Sequence, residues 1–69
     1  MDVRSPMVGK VIEVIVQAGA TVAAEDELLV IESMKMEIPV LATAAGTVRE
    51  VMVGEGDTVQ EGDLLLILD

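Results

Sequence analysis

The sequence predicts an all-β fold, and three observations lead to that prediction. Apolar residues make up 52% of the 69-residue chain, yet none of them is Phe, Tyr or Trp, so Val, Ile, Leu, Ala and Met must fill the core. The apolar runs are short, rich in β-branched residues and separated by Gly and Asp, as is typical of strands and turns. No window has the i, i+3, i+4, i+7 spacing over the roughly eleven residues that an amphipathic helix needs.

An internal repeat indicates how these strands are arranged. When the sequence is shifted by 37 residues, residues 9–32 align with residues 46–69 without a gap, and 11 of the 24 pairs are identical. Each copy is too small to bury its apolar face alone, so the two are expected to form one domain, residues 1–69, shaped as a flattened sandwich or barrel of about eight strands with pseudo-two-fold symmetry. The identical pairs are Gly9/Gly46, Val11/Val48, Glu13/Glu50, Val14/Val51, Val16/Val53, Gly19/Gly56, Thr21/Thr58, Val22/Val59, Asp26/Asp63, Leu28/Leu65 and Leu29/Leu66.

The same elements are predicted in the same order in both copies. They are a strand at residues 11–16 or 48–53, a turn at Gly19 or Gly56, a short Thr-Val segment, an acidic turn, and a strand that begins at Leu28 or Leu64. The hexapeptide E-S-M-K-M-E at residues 32–37 lies between the copies, and apolar alternation on both sides predicts a hairpin there. Its counterpart after the second copy would lie beyond the chain end, so the hairpin and the chain termini are expected roughly 20–30 Å apart.

Two hairpin registers preserve the alternation of apolar residues. A two-residue loop at Met34-Lys35 places Lys35 at the bend, and a loop at Lys35-Met36 does the same. Met36 is expected to face inward. The first register pairs Ser33 with Met36, Glu32 with Glu37, Ile31 with Ile38 and Leu29 with Val40.

The predicted tip breaks two local rules of β structure. A two-residue loop needs positive φ, which costs a non-glycine residue about 1–2 kcal/mol. Glu32 opposite Glu37 is a like-charge pair that costs up to about 1 kcal/mol, part of which Lys35 is expected to offset. Such violations are typical of a functional site, so Lys35 is the candidate functional residue.

Composition excludes several classes of function. Without His or Cys the chain lacks the usual general base, thiol nucleophile, disulfide and structural zinc ligands, so we expect a non-catalytic protein with no metal site. Four basic and 13 acidic residues give a net charge of −9, which opposes binding to nucleic acid or to an anionic membrane. No basic leader and no apolar run near 18 residues is present, and a cytoplasmic protein is expected.

The hexapeptide resembles the attachment motif of biotinyl domains, the biotin carboxyl carrier modules of biotin-dependent carboxylases. Similarity runs from about Val3 to Leu68 and includes the segments S-P-M-V-G-K-V at residues 5–11 and E-G-D at residues 55–57. The resemblance implies a flattened barrel of two four-stranded antiparallel sheets, with Lys35 biotinylated by a biotin protein ligase. It further implies that the biotin arm carries carboxylate from a biotin carboxylase to a carboxyltransferase of an acyl-CoA or 2-oxo-acid carboxylase.

The neighbours of Lys35 are candidate recognition residues for the ligase and the partner enzymes. Met34 offers an exposed and adaptable thioether, whereas Met36 has an alternative role as a gap-filler in the core. Glu32 and Glu37 have an alternative role as solvated charges that discourage edge aggregation.

The sequence departs from the biotinyl pattern at four places and leaves two other functions open. Ser33 stands where alanine is usual, Ala18-Gly19-Ala20 replaces Glu-Gly-Asp, Glu25 takes a turn position often held by glycine, and Ala42-Thr43 lacks the usual Ala-Pro. The link between Val16 and Gly19 is too short for the protruding thumb of some members. A lipoyl carrier on the same fold, whose motif resembles Asp-Lys-Ala at this bend, and an unmodified interaction module are the alternatives.

Overall fold

The computed structural model describes all 69 residues, and the predicted all-β fold is confirmed. The strands are short, as the spacing of turn residues predicts. In chain order they are β1 (Asp2–Arg4), β2 (Gly9–Val14), β3 (Thr21–Val22), β4 (Glu27–Ser33), β5 (Met36–Leu41), β6 (Gly46–Val51), β7 (Thr58–Val59) and β8 (Leu64–Leu68).

The strands form two four-stranded antiparallel sheets. The sheet with the order β5-β4-β2-β7 contains the central hairpin and is called the hairpin sheet, and the sheet with the order β1-β8-β6-β3 is called the terminal sheet. A shift of 37 residues converts one strand order into the other, with β1 as the counterpart of β5. The predicted pseudo-two-fold symmetry is therefore confirmed, and it extends to strands outside the aligned residues.

The core has the same symmetry as the sheets. Of its 12 buried apolar residues, ten form five repeat pairs, and the other two, Val40 and Ala42, correspond to the half-buried Val3 and the buried Ser5. Full burial of a Leu, Ile or Val side chain stabilises the fold by about 1.5–3 kcal/mol, so these pairs supply most of the apolar stabilisation. The five pairs are Val11/Val48, Val22/Val59, Leu28/Leu65, Leu29/Leu66 and Ile31/Leu68.

The first strand of each copy begins and ends two residues earlier than predicted. A bulge between Val11 and Glu13 shifts the register of β2 against β4, and the ladder ends at Val14. The amides of Ile15 and Val16 then both donate to the carbonyl of Leu28, at 3.0 and 3.3 Å. Val16 still packs against the core, which explains why apolar alternation extended the predicted strand too far.

Besides the hairpin loop at residues 34–35, four tight turns connect the strands, and three of these four share a side-chain hydrogen bond. In each of the three, an Asp carboxylate accepts from the backbone amide three residues earlier, at 2.8–2.9 Å. Those residues are Asp26, Asp57 and Asp63. The fourth turn, residues 17–20, ends in Ala20 and keeps only the backbone bond to Gln17, so the departure from Glu-Gly-Asp removes one hydrogen bond.

The chain ends meet at the end of the molecule that lies away from the hairpin. The amino group of Met1 donates to the carbonyl of Leu68. From there β1 runs toward Ser5, and the chain then crosses to Gly9 beside the hairpin. The longest dimension of the molecule is 30 Å, which sets the scale of this separation. No helix capable of crossing a membrane is present.

Candidate functional site

The hairpin that carries Lys35 has the first of the two predicted registers. Met34 and Lys35 form the two-residue loop, and Glu32 pairs with Glu37 and Ser33 with Met36. The φ angles of Met34 and Lys35 are 55° and 66°, so both loop residues adopt the left-handed conformation of a type I′ turn. Glu25 is the one other non-glycine residue with positive φ, which concentrates backbone strain at the tip.

The methionines on either side of Lys35 are both solvent-exposed. Met34 is 88% exposed, as expected for a loop residue. Met36 is 59% exposed, so the expectation that it faces inward is wrong. Its alternation with Ile38 and the buried Val40 is correct, but Met36 lies next to the turn, beyond the end of the core. Lys35 is exposed between two accessible thioethers.

The predicted acidic pair is present, but its nearest cation across the sheet is not Lys35. Glu32 lies opposite Glu37 on β5 and opposite Lys10 on β2. The molecule has two ion pairs, Arg4–Asp2 and Arg49–Asp69. Neither of them includes Lys35 or a member of the row formed by Glu37, Glu32 and Lys10. The expected relief of the acidic pair by Lys35 therefore does not occur through an ion pair.

Gly9 and Lys10 belong to this site, although the sequence did not single them out as functional. A side chain at Gly9 would place its Cβ 2.5 Å from Cγ2 of Ile31 and 2.6 Å from the carbonyl oxygen of Glu32. Only glycine lets β2 approach β4 this closely below the turn. Gly46 makes the same approach to the carbonyl of Asp69 at the opposite end of the repeat. Since Gly9 and Gly46 are a repeat pair, the repeat was the signal that could have identified this contact.

The segment before Gly9 is fixed by the one buried polar side chain of the protein. Ser5 is 3% exposed, and its hydroxyl donates to the carbonyl of Met7 at 2.6 Å. Its backbone amide donates to the carbonyl of Asp63 at 2.8 Å. The chain then enters β2 through Val8, an exposed apolar residue directly before Gly9. These hydrogen bonds fix the crossover that leads into β2, the strand next to β4 in the hairpin sheet.

The chemistry available at the tip of the hairpin is that of one exposed amine, Lys35, on a two-residue turn. No group of three or more carboxylates lies close enough to share a metal ion, and no pocket forms in the surface. The Lys35 amine is held on a short turn and is free of ion pairs, so it can enter the active site of another protein. In its neutral form a lysine amine attacks activated carbonyl carbons.

Comparison with known sequences gives a consistent result along the whole chain. Residues 1–68 match the biotin/lipoyl family model, described as biotin-requiring enzyme. The chain is 49% identical over 67 residues to the biotinylated protein TB7.3 homolog of Mycobacterium leprae, which covers 97% of this chain and 94% of that protein. It is 50% identical over 66 residues to the human mitochondrial propionyl-CoA carboxylase alpha chain, covering 96% of this chain and 9% of the relative. The resemblance drawn from the hexapeptide is confirmed.

Solved structures with the same fold include a carboxylase and a lipoyl domain. The crystal structure of urea carboxylase from Kluyveromyces lactis superposes with a TM-score of 0.94 at 32% identity, over 100% of this chain and 6% of that one. The lipoyl domain of the 2-oxoglutarate dehydrogenase complex of Azotobacter vinelandii superposes with a TM-score of 0.85, also at 32% identity, over 100% of this chain and 95% of that domain. The fold of this chain is therefore shared with part of a urea carboxylase and with a lipoyl domain.

Proposed function

The chain belongs to the family of biotin- and lipoyl-attachment domains, and on that premise we propose that Lys35 is the point of covalent biotin attachment. The observation that carries the proposal is the tip itself. Met34 and Met36 are exposed on either side of Lys35, on a turn whose residues are kept in a strained conformation. A biotin protein ligase would recognise this tip, with Glu32 and Glu37 as the charged flank of the recognised surface.

Attachment requires one nucleophilic step at Lys35. The neutral amine attacks the carbonyl carbon of biotinyl-adenylate, a C–N bond forms, and the C–O bond to the adenylate breaks with release of AMP. The ammonium loses one proton to become the nucleophile, and the attacking nitrogen loses a second as the amide forms. Both protons pass to bases of the ligase or to solvent, and the net charge of the chain changes from −9 to −10. A rigid turn favours this step because it presents the amine in one place and so lowers the entropy cost of alignment.

After attachment the domain acts as a carrier and does no chemistry itself. When bound, biotin supplies a ring nitrogen that accepts carboxylate in a biotin carboxylase and releases it in a carboxyltransferase. The carboxylase class proposed is one that acts on an acyl-CoA or a 2-oxo acid. Lys35 contributes the tether, which raises the effective concentration of the arm at both active sites.

Lipoyl attachment at Lys35 is the second candidate function, because a lipoyl domain shares this fold with a TM-score of 0.85. Met34 and Met36 argue against lipoyl attachment, because the lipoyl motif at the same bend is similar to Asp-Lys-Ala and has neither methionine. The two candidates differ in the mass added to Lys35, not in the position of attachment.

Intact-mass measurement after incubation with each ligase and its cofactor tests the proposal. We expect one biotinyl group on the wild type and little lipoylation. Lys35→Arg should abolish the biotin adduct, and Lys10→Arg should retain it, because Lys10 lies inside β2 rather than on the turn. Labelling that survives Lys35→Arg would refute the site, and efficient lipoylation with little biotinylation would favour the second candidate.

A further inference from the structure

The outer faces of the two sheets have the same geometry but different chemistry. On the hairpin sheet, Val30 pairs with Pro39 on one side and Glu13 on the other. On the terminal sheet, Ile67 pairs with Asp2 and Glu50 in the same way. Each sheet has a β-bulge beside this row, at the same repeat position. The extra residue of the bulge is Arg49 in the terminal sheet and Ile12 in the hairpin sheet.

Three positions on these faces change from polar to apolar between the copies. Arg49, Asp2 and Arg4 on the terminal sheet correspond to Ile12, Pro39 and Leu41 on the hairpin sheet. Both ion pairs of the molecule involve the three polar residues, and none lies on the hairpin sheet. The fold therefore accommodates charged residues at these positions, and the apolar surface on the hairpin sheet requires a reason other than folding.

This surface, formed by Ile12, Val30, Pro39 and Leu41, is called the apolar face. Val30 points outward because its neighbours Leu29 and Ile31 are fully buried, and Leu41 is 42% exposed. We propose that the apolar face is the docking surface for the ligase that modifies Lys35. The proposal rests on the biotin attachment proposed above and extends it from the tip to one face of the domain.

The short reach of an unmodified lysine favours the ligase over the later partners. Before attachment, the amine itself must enter an active site, so the enzyme has to contact the hairpin and the surface beside it. A stable contact covers about 800 Å² on each partner. The whole domain exposes 4153 Å², and a loop of two residues provides only a small part of the area needed. The contact must therefore continue along the domain below the tip.

The apolar face is the part of the domain best suited to that continuation. It begins two pairing rows below Glu37 and Glu32, about 7 Å further from the turn. Addition of a partner strand along the free edge of β5 is interrupted by Pro39, which has no amide hydrogen to donate. The outer face of the hairpin sheet remains as the surface that is continuous with the tip.

Charge around the apolar face indicates the kind of surface that fits it. Glu13, Glu27, Glu32 and Glu37 are exposed and line or flank it. With a net charge of −9, two copies of this chain repel each other, which disfavours a homodimer through this face. The complementary surface is apolar at its centre and basic at its rim.

The repeat supplies the variants for the test, since residues accepted on one sheet can be moved to the other. Ile12→Arg with Leu41→Arg introduces the terminal-sheet residues into the apolar face, and Arg49→Ile with Arg4→Leu is the reciprocal control. Steady-state biotinylation by a purified biotin protein ligase gives KM and kcat for each folded variant, with folding checked by thermal melting. We expect the first double variant to raise KM about tenfold with kcat retained, and the reciprocal control to leave both values within about twofold of wild type.

A charge-matched pair separates loss of apolar contact from a general effect of added charge. Val30→Lys and Ile67→Lys change equivalent half-buried positions in the two sheets. Only Val30→Lys should raise KM. Equal KM values for the two, or an unchanged KM in Ile12→Arg with Leu41→Arg, would overturn the docking proposal while leaving the attachment site intact.

Two further outcomes distinguish the proposal from its alternatives. If sedimentation shows a wild-type dimer that Leu41→Arg dissociates, the apolar face binds a second copy and the proposal is wrong. If the wild type takes up no biotin at all, the proposed function fails, and the docking proposal that rests on it fails as well.

Discussion

Lys10 lies directly opposite Glu32 in the pairing of β2 with β4, and Glu32 lies opposite Glu37 in the pairing of β4 with β5. One cation and two carboxylates thus form a row across the hairpin sheet, one residue below the Ser33–Met36 pair that closes the turn. Cross-strand neighbours interact more strongly than residues that share no row, so we expect Lys10 to interact with Glu32 more strongly than Lys35 does, although no ion pair joins them.

Neutralising Lys10 should therefore change the salt dependence of stability more than acylating Lys35 does. We expect Lys10→Gln to lower the free energy of unfolding by a few tenths of a kcal/mol at low salt, with recovery at high salt as the repulsion between Glu32 and Glu37 is screened. Biotinylation, which also removes one positive charge, should increase salt dependence in the same direction by a smaller amount. Thermal melts of wild type, Lys10→Gln and biotinylated protein at two salt concentrations measure the salt dependence of stability for each. Equal salt dependence in Lys10→Gln and biotinylated protein would contradict the prediction.

Gly9→Ala should disturb the hairpin because its Cβ would meet Ile31 and the carbonyl of Glu32. Overpacking of this kind costs about 1–3 kcal/mol. We also expect a lower kcat/KM of biotinylation for the folded protein, since the displaced strand carries the tip.

Two other glycines provide the controls for that substitution. Gly46→Ala creates the equivalent clash with Asp69 at the other end and should leave biotinylation of the folded protein unchanged. Gly54→Ala meets no atom within 4 Å and should change neither property. If Gly9→Ala and Gly46→Ala affect kcat/KM equally, Gly9 has no positioning role.

Glu25→Gly should stabilise the domain. Glu25 has a φ of 73°, and its repeat counterpart Gly62 has a φ of 89°, so the same turn uses glycine in one copy and a strained residue in the other. Release of that strain exceeds the extra chain entropy of glycine, and we expect a gain of about 0.5–1 kcal/mol in urea unfolding. The reciprocal Gly62→Ala, whose Cβ has open space, should cost about 1 kcal/mol. A loss of stability in Glu25→Gly would show that its side chain has a stabilising contact.

Met34→Asp with Met36→Ala should shift the choice of cofactor at an unchanged Lys35. The double variant carries a carboxylate before the lysine and a small residue after it, which resembles the lipoyl motif. Similar sites are kept apart by features that repel the wrong partner, so we expect biotinylation to fall and lipoylation to rise. Intact mass after incubation with each ligase measures both, and a variant that still prefers biotin would show that the two methionines do not determine specificity.

Most of the fold was predictable because it is encoded twice. The repeat places Val11 with Val48 and Leu28 with Leu65, and each of these residues is buried. The hairpin register was predictable to within two alternatives, because a shift of one residue would expose Ile31. The structure has the register that places Glu32 opposite Glu37.

The errors have a different origin, because they concern contacts that alternation does not encode. Met36 follows the inward alternation but lies past the end of the core, and alternation carries no information on where a core ends. The pairing of Lys10 with Glu32 depends on which strands become neighbours, and the close approach of Gly9 depends on the same sheet order. Neither follows from residues that are adjacent in the sequence.

The contact between the amino group of Met1 and the carbonyl of Leu68 has a consequence for how the chain could be reconnected. Because these ends occupy the place that the Met34-Lys35 turn occupies in the other half, a short linker could join them and the chain could be reopened elsewhere. Such a circular permutant, cut in the exposed turn at residues 54–57, should keep Lys35 accessible. The domain is equally suited to insertion into a surface loop of a larger protein, which would hold it from one end and leave the opposite end free to swing.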